Sequence, residues 1–165
     1  ELGLAEMSFA RNDYDDAILR LENLIEKYSR TRSSGMATIL LARCYLAKDD
    51  YENARVHLEK YIDDYKDDKF LTAGAYSGLA ICAEQDSNFA LAAEYFEKGG
   101  KISPHKFHKH ELLLNSARNY LKVNNLEKAE EIVNIILNDE PESVNKNSAE
   151  LLLAQITTRK GLALK

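Results

Sequence analysis

One pattern of nine residues occurs four times in this sequence, and its spacing limits the possible folds more than any other feature. In residues 50–58 a polar residue precedes an aromatic one, an alanine follows three residues later, and a leucine comes four residues after that alanine. The equivalent alanines are Ala17, Ala54, Ala92 and Ala129, which are separated by 37, 38 and 37 residues. A repeat of this length predicts an array of similar helical units, each of which buries its apolar face against its neighbours.

Each unit is predicted to contain two helices joined by a polar turn. A pair ending in alanine recurs on the first helix, at Leu4-Ala5, Leu41-Ala42, Leu79-Ala80 and Ser116-Ala117. A residue that can cap the second helix follows, at Asp13, Asp50, Asn88 and Asn125. The second helices are predicted over Tyr14–Tyr28, Tyr51–Tyr65, Phe89–Gly99 and Leu126–Asn138. Gly99-Gly100 is expected to end the third of them, and Pro104 and Pro141 are expected to separate units, because both residue types disfavour helix.

The order Leu-Ala-x2-Tyr, then Ala-x3-Leu, then Pro resembles the tetratricopeptide repeat. The resemblance implies an all-α, right-handed α-solenoid with about four helix-turn-helix units and a terminal helix. We expect a single domain over residues 1–165, with units at about 1–32, 33–69, 70–106 and 107–143 and the terminal helix at 144–160.

Two departures accompany this resemblance. The tryptophan usual in the first helix is replaced by Glu1, Thr38, Tyr76 and Leu113. The period exceeds the usual repeat, and the extra length is expected between units, at 29–34, 66–72 and 104–109. Repeats of this longer period are similar to those of bacterial envelope proteins.

Composition and charge restrict the classes of partner. The net charge of −5 disfavours a general binder of nucleic acid or anionic membrane, which would need a basic stripe. No apolar run approaches the ~18 residues that a membrane span needs. No secretion signal is visible, but the sequence opens at Glu1 without a methionine, which leaves room for an upstream targeting segment. The compartment therefore stays open between the bacterial periplasm or envelope and the cytoplasm.

Signals for catalysis and for cofactor or metal binding are missing from the sequence. It contains no phosphate-binding glycine loop, nucleophile elbow or zinc-protease motif, so we expect no enzymatic activity. We interpret His105, His108 and His110 as part of a solvated, weakly basic loop, since no cysteine or carboxylate is spaced to complete a zinc site. Cys44 and Cys82 occupy equivalent repeat positions and are expected to pack as small apolar residues.

The family resemblance implies a binding groove on the concave surface formed by the first helices. Three positions look into it, at fifteen, eleven and eight residues before the repeat alanine. They are Leu2, Glu6 and Phe9; Ile39, Arg43 and Leu46; Ser77, Ile81 and Glu84; Leu114, Arg118 and Leu121. This largely apolar lining favours a scaffold that binds a partner peptide or helix, with Arg43 and Arg118 orienting acidic groups.

The alternative is a structural role. The chain would then be a segment of a larger helical assembly or a homodimer that buries Leu151, Leu152 and Ile156 of the terminal helix.

Overall fold

The structure is a computed structural model that describes residues 1–139 and 142–163. Over these residues the chain forms helices and turns without a strand, so the predicted all-α fold is confirmed. Its helices are α1 (Leu2–Ala10), α2 (Tyr14–Lys27), α3 (Arg32–Ala47), α4 (Tyr51–Asp64), α5 (Lys69–Gln85), α6 (Phe89–Ile102), α7 (Lys106–Lys122), α8 (Leu126–Asn138) and α9 (Ser143–Ala163). The helices α1, α3, α5 and α7 are the first helices of the four repeats, and α2, α4, α6 and α8 are the second helices.

The repeat alanines lie where the helices of a repeat are buried against each other. Ala17, Ala54, Ala92 and Ala129 on the second helices are fully buried. Their counterparts on the first helices, Ala5, Ala42, Ala80 and Ala117, are fully buried too. A methyl side chain at each position lets two helix axes approach to the short end of the usual ~8–10 Å range. The alanine pattern therefore marks the positions at which the helices pack against each other.

Each turn within a repeat uses one left-handed residue followed by one capping residue. The backbone φ is 61° at Asn12, 58° at Asp49, 58° at Ser87 and 57° at Asn124. The next residue caps the second helix, and its side chain accepts the N–H of the residue three positions later, as predicted at Asp13, Asp50, Asn88 and Asn125. Short polar residues suit the first position because they tolerate the left-handed region better than other side chains do.

The chain divides into two compact units, Glu1–Cys82 and Ala83–Lys165, and the boundary lies within α5. In the first unit α1, α2 and α3 share a core that includes Leu21, Leu41 and Cys44. In the second unit α7, α8 and α9 share a core that includes Ile132 and Ile156. Each unit thus has its own buried apolar centre, and the single domain expected over the whole chain stays a prediction.

The prediction that Gly99-Gly100 ends the third second helix is wrong. α6 continues through both glycines to Ile102, and both are buried. A Cβ at Gly100 would lie 2.8 Å from Cγ and Cδ2 of Leu113 on α7. The glycine therefore allows α7 to approach α6 closely, and this packing outweighs a propensity loss of about 1 kcal/mol per glycine.

The extra residues of the long repeat, which were expected between units, lie partly within the first helices. α3, α5 and α7 begin at Arg32, Lys69 and Lys106, inside the three segments to which the extra length was assigned. Thr31 starts α3 with a capping box, because its side chain accepts from Ser34 N–H while Ser34 accepts from Thr31 N–H.

Proline acts as expected at Pro104. α6 ends just before it, and Ser103 has the extended ψ of 126° that a residue preceding proline requires. The equivalent role of Pro141 lies outside the described residues.

The terminal helix is longer than predicted, since α9 runs from Ser143 to Ala163. Leu152 and Ile156, which the dimer hypothesis assigned to an intermolecular contact, are already buried within this chain. Only Leu151 of that set is exposed, with 64% of its surface accessible. That hypothesis is corrected accordingly, because two of its three anchor residues belong to the core of the second unit.

Candidate functional site

The most regular surface feature of the fold is the position eleven residues before each repeat alanine. All four residues there are exposed, although each directly follows a fully buried alanine. They are Glu6, Arg43, Ile81 and Arg118. Ile81 is the most informative of the four, because it is apolar and lies in the middle of a helix, yet it keeps 41% of its surface accessible. The first helices therefore present this position outward in every repeat.

The other eight residues predicted for the groove differ in how much surface they offer. Ile39, Leu114 and Leu121 are buried. The remaining five are partly buried, namely Leu2, Phe9, Leu46, Ser77 and Glu84. A partner could therefore contact the edges of these five side chains, whereas the buried three mainly hold helices together. The binding role of the whole set stays a prediction.

In the first unit, Arg43 lies against an aromatic pair. Its guanidinium carbon is 4.8 Å from the centroid of the Phe9 ring, and Phe9 in turn lies 5.5 Å from the ring of Tyr14. Tyr14 donates a hydrogen bond of 2.8 Å to the side-chain oxygen of Asn12 in the preceding turn. Phe9, which is itself packed against Tyr14, thus holds the arginine at the surface. The guanidinium of Arg43 therefore has a preferred position.

In the second unit, a polar cluster joins α5 to α7. The Glu84 carboxylate accepts a bond of 2.8 Å from Nδ2 of Asn119, which is buried, and one of 3.3 Å from Nζ of Lys122. Lys122 also lies 4.4 Å from the centroid of the Phe89 ring. Glu84 was predicted to face a partner, and the structure shows that it partly neutralises Lys122.

A cleft of about 270 Å³ opens between α7 and α9 in the second unit. Three cationic side chains line it, Arg118, Lys122 and Arg159. Its apolar part consists of Leu121, Leu151 and Leu152, and Ser148 and Gln155 complete the lining. The structure therefore combines positive charge and apolar surface in one concave site of a chain whose net charge is −5.

Sequence reasoning placed Arg118 and Leu121 in this region but missed Lys122 and Arg159. A usable signal was present, because Arg159 follows Lys122 by 37 residues and so occupies the same repeat position on α9. The prediction considered only three groove positions per repeat and did not extend them to the terminal helix. Extending the register would have placed both cations on one surface.

The interpretation of the three histidines as a solvated loop is wrong for His110. The segment from Lys106 onward is helix α7, and His110 is fully buried within it. Its Nε2 lies 3.0 Å from the Asp139 carboxylate, which also accepts a bond of 2.7 Å from Lys109. These bonds, that of Lys109 first, lower the pKa of Asp139 to about 2. Nδ1 of His110 is buried without a hydrogen-bond partner among the described residues.

Glu97 is the buried carboxylate of the described core. Burial opposes its ionisation, but hydrogen bonds from Lys101 and Tyr120 outweigh that effect and hold the pKa of Glu97 below its ordinary value. Burial, with the bond to Glu97, raises the pKa of the Tyr120 phenol. Tyr120 lies 3.0 Å from the carboxylate inside the packed α6–α7 contact. The pair satisfies two buried polar groups and so stabilises the fold.

The thiols have the expected environment. Cys44 and Cys82 are both fully buried. Burial raises the pKa of Cys44 to about 11, so its nucleophilic thiolate form is scarce at neutral pH.

The described residues show neither a metal-binding cluster nor a membrane-spanning helix. No three His, Cys, Asp or Glu side chains lie close enough together there to hold a metal ion. Among the same residues, no helix is both long and apolar enough to cross a membrane.

Comparison with known structures defines the class of fold. Two crystal structures of nearly identical TPR-like repeats from a proposed kinesin light chain of Podosopora anserina superpose on the chain with TM-scores of 0.72 and 0.73. Each is 17% identical to this sequence, and the alignments cover 98% of this chain and 85% of the other. The protein is therefore an all-α helical-repeat protein of the α-solenoid class.

Comparison with protein families identifies the repeat. Residues 8–73 match the model of the tetratricopeptide repeat family. Over residues 8–73 the chain is therefore similar to tetratricopeptide repeats, as the sequence pattern indicated. The comparison with curated proteins found no match. The similarity to bacterial envelope proteins is not tested by these findings and stays a prediction.

Proposed function

We propose that the protein is a non-catalytic scaffold that binds a peptide or helix of a partner protein on the surface of its first helices. The observation that carries this proposal is the exposed position eleven residues before each repeat alanine. A side chain that served only packing would be buried in at least some repeats, as the neighbouring alanines are in all of them. Tetratricopeptide repeats typically bind proteins, which supports the same conclusion.

The arrangement of ionisable groups fits binding better than catalysis. A general acid or base must lie within reach of a substrate in a cleft. Glu97 and Tyr120, whose pKa values are shifted, bond to each other inside the helix packing instead. The α7–α9 cleft contains three cations and one amide side chain that can bind a ligand, and its lining includes no carboxylate, histidine or cysteine.

Charge reversal tests the proposal. The Arg43→Glu/Arg118→Glu variant should lose partner proteins that the wild-type chain captures from its native extract, since two of the four exposed positions change sign. The matched control is Lys60→Glu/Lys98→Glu, which makes the same charge change at exposed positions of two second helices, one in each unit. Helicity and the melting temperature should stay nearly unchanged, because exposed ion pairs are worth only ~0–1 kcal/mol. Equal capture by the wild type and the arginine variant would refute the proposal.

One observation favours self-association as a second candidate function. Val144, Leu151 and Leu162 of α9 each keep about two-thirds of their surface exposed, at 66%, 64% and 66%. Replacing Leu151 and Leu162 with aspartate should then convert a dimer to a monomer in light scattering. Leu19→Asp is the control, since Leu19 is 60% exposed on α2 in the other unit. A wild-type chain that is monomeric at high concentration would exclude this candidate.

A further inference from the structure

We propose that the α7–α9 cleft binds an acidic segment of a partner protein that carries one large apolar side chain. The inference rests on the scaffold function proposed above and names the partner chemistry for one site in the second unit. It follows from the uncompensated charge of two arginines, the apolar surface between them and the size of the cleft.

The charge argument begins with the hydrogen bonds of the two arginines. Nη1 of Arg118 donates to the amide oxygen of Asn115 at 2.9 Å. Nη1 of Arg159 donates to the backbone carbonyl of Leu121, also at 2.9 Å. Both acceptors are neutral, and no carboxylate among the described residues forms an ion pair with either guanidinium. Lys122 differs, because Glu84 lies 3.3 Å from its ammonium. The cleft therefore carries two guanidinium charges that a ligand carboxylate could neutralise.

The geometry of these groups suits carboxylates in particular. A guanidinium presents several N–H donors in one plane and can bind both oxygens of a carboxylate at once. The bond from Arg159 to the Leu121 carbonyl holds its side chain across the cleft and leaves other N–H groups available. A side chain fixed before binding loses less conformational entropy when the ligand arrives.

The apolar part of the cleft supplies the second element of recognition. Leu121 and Leu152 are nearly buried and form the base, whereas Leu151 rises beside them with most of its surface exposed. Covering Leu151 with an apolar side chain would remove its surface from water, which is favourable. The cleft of about 270 Å³ lies below the usual range of about 300–1,000 Å³ for small-molecule sites. A single side chain with flanking carboxylates fits it better than a cofactor.

Fluorescence anisotropy with defined peptides tests the inference. The probe is a fluorescein-labelled pentapeptide with a central leucine and two glutamates on each side, titrated with the full chain. We expect it to bind at least about tenfold more tightly than peptides in which serine replaces the leucine or lysine replaces the glutamates. Raising the salt concentration should weaken its binding, because the ion pairs are partly exposed.

Variants then locate the bound peptide. Arg118→Gln should weaken binding about tenfold, and Arg118→Lys should weaken it less because the charge is kept while the planar fork is lost. Arg11→Gln is the matched control, since Arg11 is an exposed arginine of the other unit that belongs to no predicted groove position and does not line the cleft. It should change the dissociation constant by less than about twofold.

Four outcomes would overturn the inference. Three concern the peptide: no binding of the acidic peptide at millimolar protein, equal binding of the acidic and basic peptides, and equal weakening by the Arg118→Gln and Arg11→Gln variants. A wild-type dimer that Leu151→Asp converts to a monomer would show that a second copy fills the cleft, which also overturns it. The scaffold function would survive any of these results if charge reversal at Arg43 and Arg118 still abolished partner capture.

Discussion

The guanidinium of Arg43 lies 4.8 Å from the centre of the Phe9 ring, so a cation of the second repeat contacts an aromatic residue of the first. Both side chains occupy predicted groove positions, at eleven and eight residues before their repeat alanines. Part of this surface is therefore organised by contacts between neighbouring repeats. The geometry gives Arg43 a preferred position even before a partner binds.

This contact should appear as a coupling energy between the two residues. A double-mutant cycle of Phe9→Leu and Arg43→Gln, measured by urea unfolding, should give about 0.5–1 kcal/mol, the value of an exposed cation–π pair. The effects of Arg43→Gln and Leu19→Ala on the free energy of unfolding should be additive, because Leu19 is an exposed residue on the neighbouring helix α2. A coupling within error of zero would show that the arginine is not held by the ring.

Ala54 should tolerate no larger side chain. It is fully buried where α4 contacts α3, so Ala54→Leu should lower the free energy of unfolding by about 1–3 kcal/mol through overpacking. Ala90→Leu is the control, since Ala90 is exposed on α6 and the same atoms would extend into solvent. Chemical denaturation of both variants decides the matter, and equal stabilities would contradict the proposed repeat register.

Gly100 and Gly74 should respond to alanine in opposite directions. A Cβ at Gly100 would lie 2.8 Å from Leu113, whereas one at Gly74 on α5 would have nothing within 4 Å. Gly74→Ala should therefore raise stability by about 0.5–1 kcal/mol through helix propensity alone. Gly100→Ala should lower it by about 1–3 kcal/mol, because overpacking exceeds that gain. Thermal or chemical unfolding measures both, and stabilisation by Gly100→Ala would refute the close approach of α6 and α7.

Asp139 should make stability depend on pH in the acidic range. Hydrogen bonds from Lys109 and His110 lower its pKa from the ordinary 3.8 to about 2 in the folded chain. The stabilisation is therefore complete above the ordinary value and is lost as pH falls toward 2. Asp139→Asn should flatten this part of the stability curve, while Asp63→Asn, at an exposed carboxylate of α4, should not. Parallel acid transitions of the wild type and Asp139→Asn would contradict the assignment.

Replacing Ser87 with glycine should raise the stability of the chain. Its φ of 58° costs an L residue about 1–2 kcal/mol, and glycine removes this cost while losing about 0.5–1 kcal/mol in backbone entropy. Ser87→Gly should therefore stabilise the chain by about 0.5–1 kcal/mol. Ser33→Gly, in the first turn of α3, should lower stability by about 0.5 kcal/mol. If both substitutions destabilise the chain, the left-handed turn is not under strain.

The features that the sequence predicted correctly depend on residues close together in the chain. A cap such as Asp50 bonds to an N–H three residues away, so a short pattern contains all the required information. The continuation of α6 through Gly100 depends instead on Leu113 of the next helix, which local propensity cannot anticipate. The burial of His110 likewise depends on Asp139, which lies 29 residues later.

The candidate site shows the same division. The exposed positions of the first helices follow from the repeat register, because a residue next to the packed alanine points away from the neighbouring second helix. The α7–α9 cleft depends on the terminal helix α9, which lies outside the four repeats predicted from residues 1–143. Its two added cations, Lys122 and Arg159, are found from the sequence only when the 37-residue register is extended to α9.

Helix packing in each unit has a kinetic consequence. α1, α2 and α3 pack in chain order, as do α7, α8 and α9, and the additional contacts α1–α3 and α7–α9 pass over a single helix. Contacting residues are thus separated by short stretches of chain, so closing the intervening loops costs little entropy and folding should be fast. The same locality lets a helix pair open while more distant pairs stay closed. Proteases should therefore release the chain in pieces of about one repeat rather than degrade it all at once.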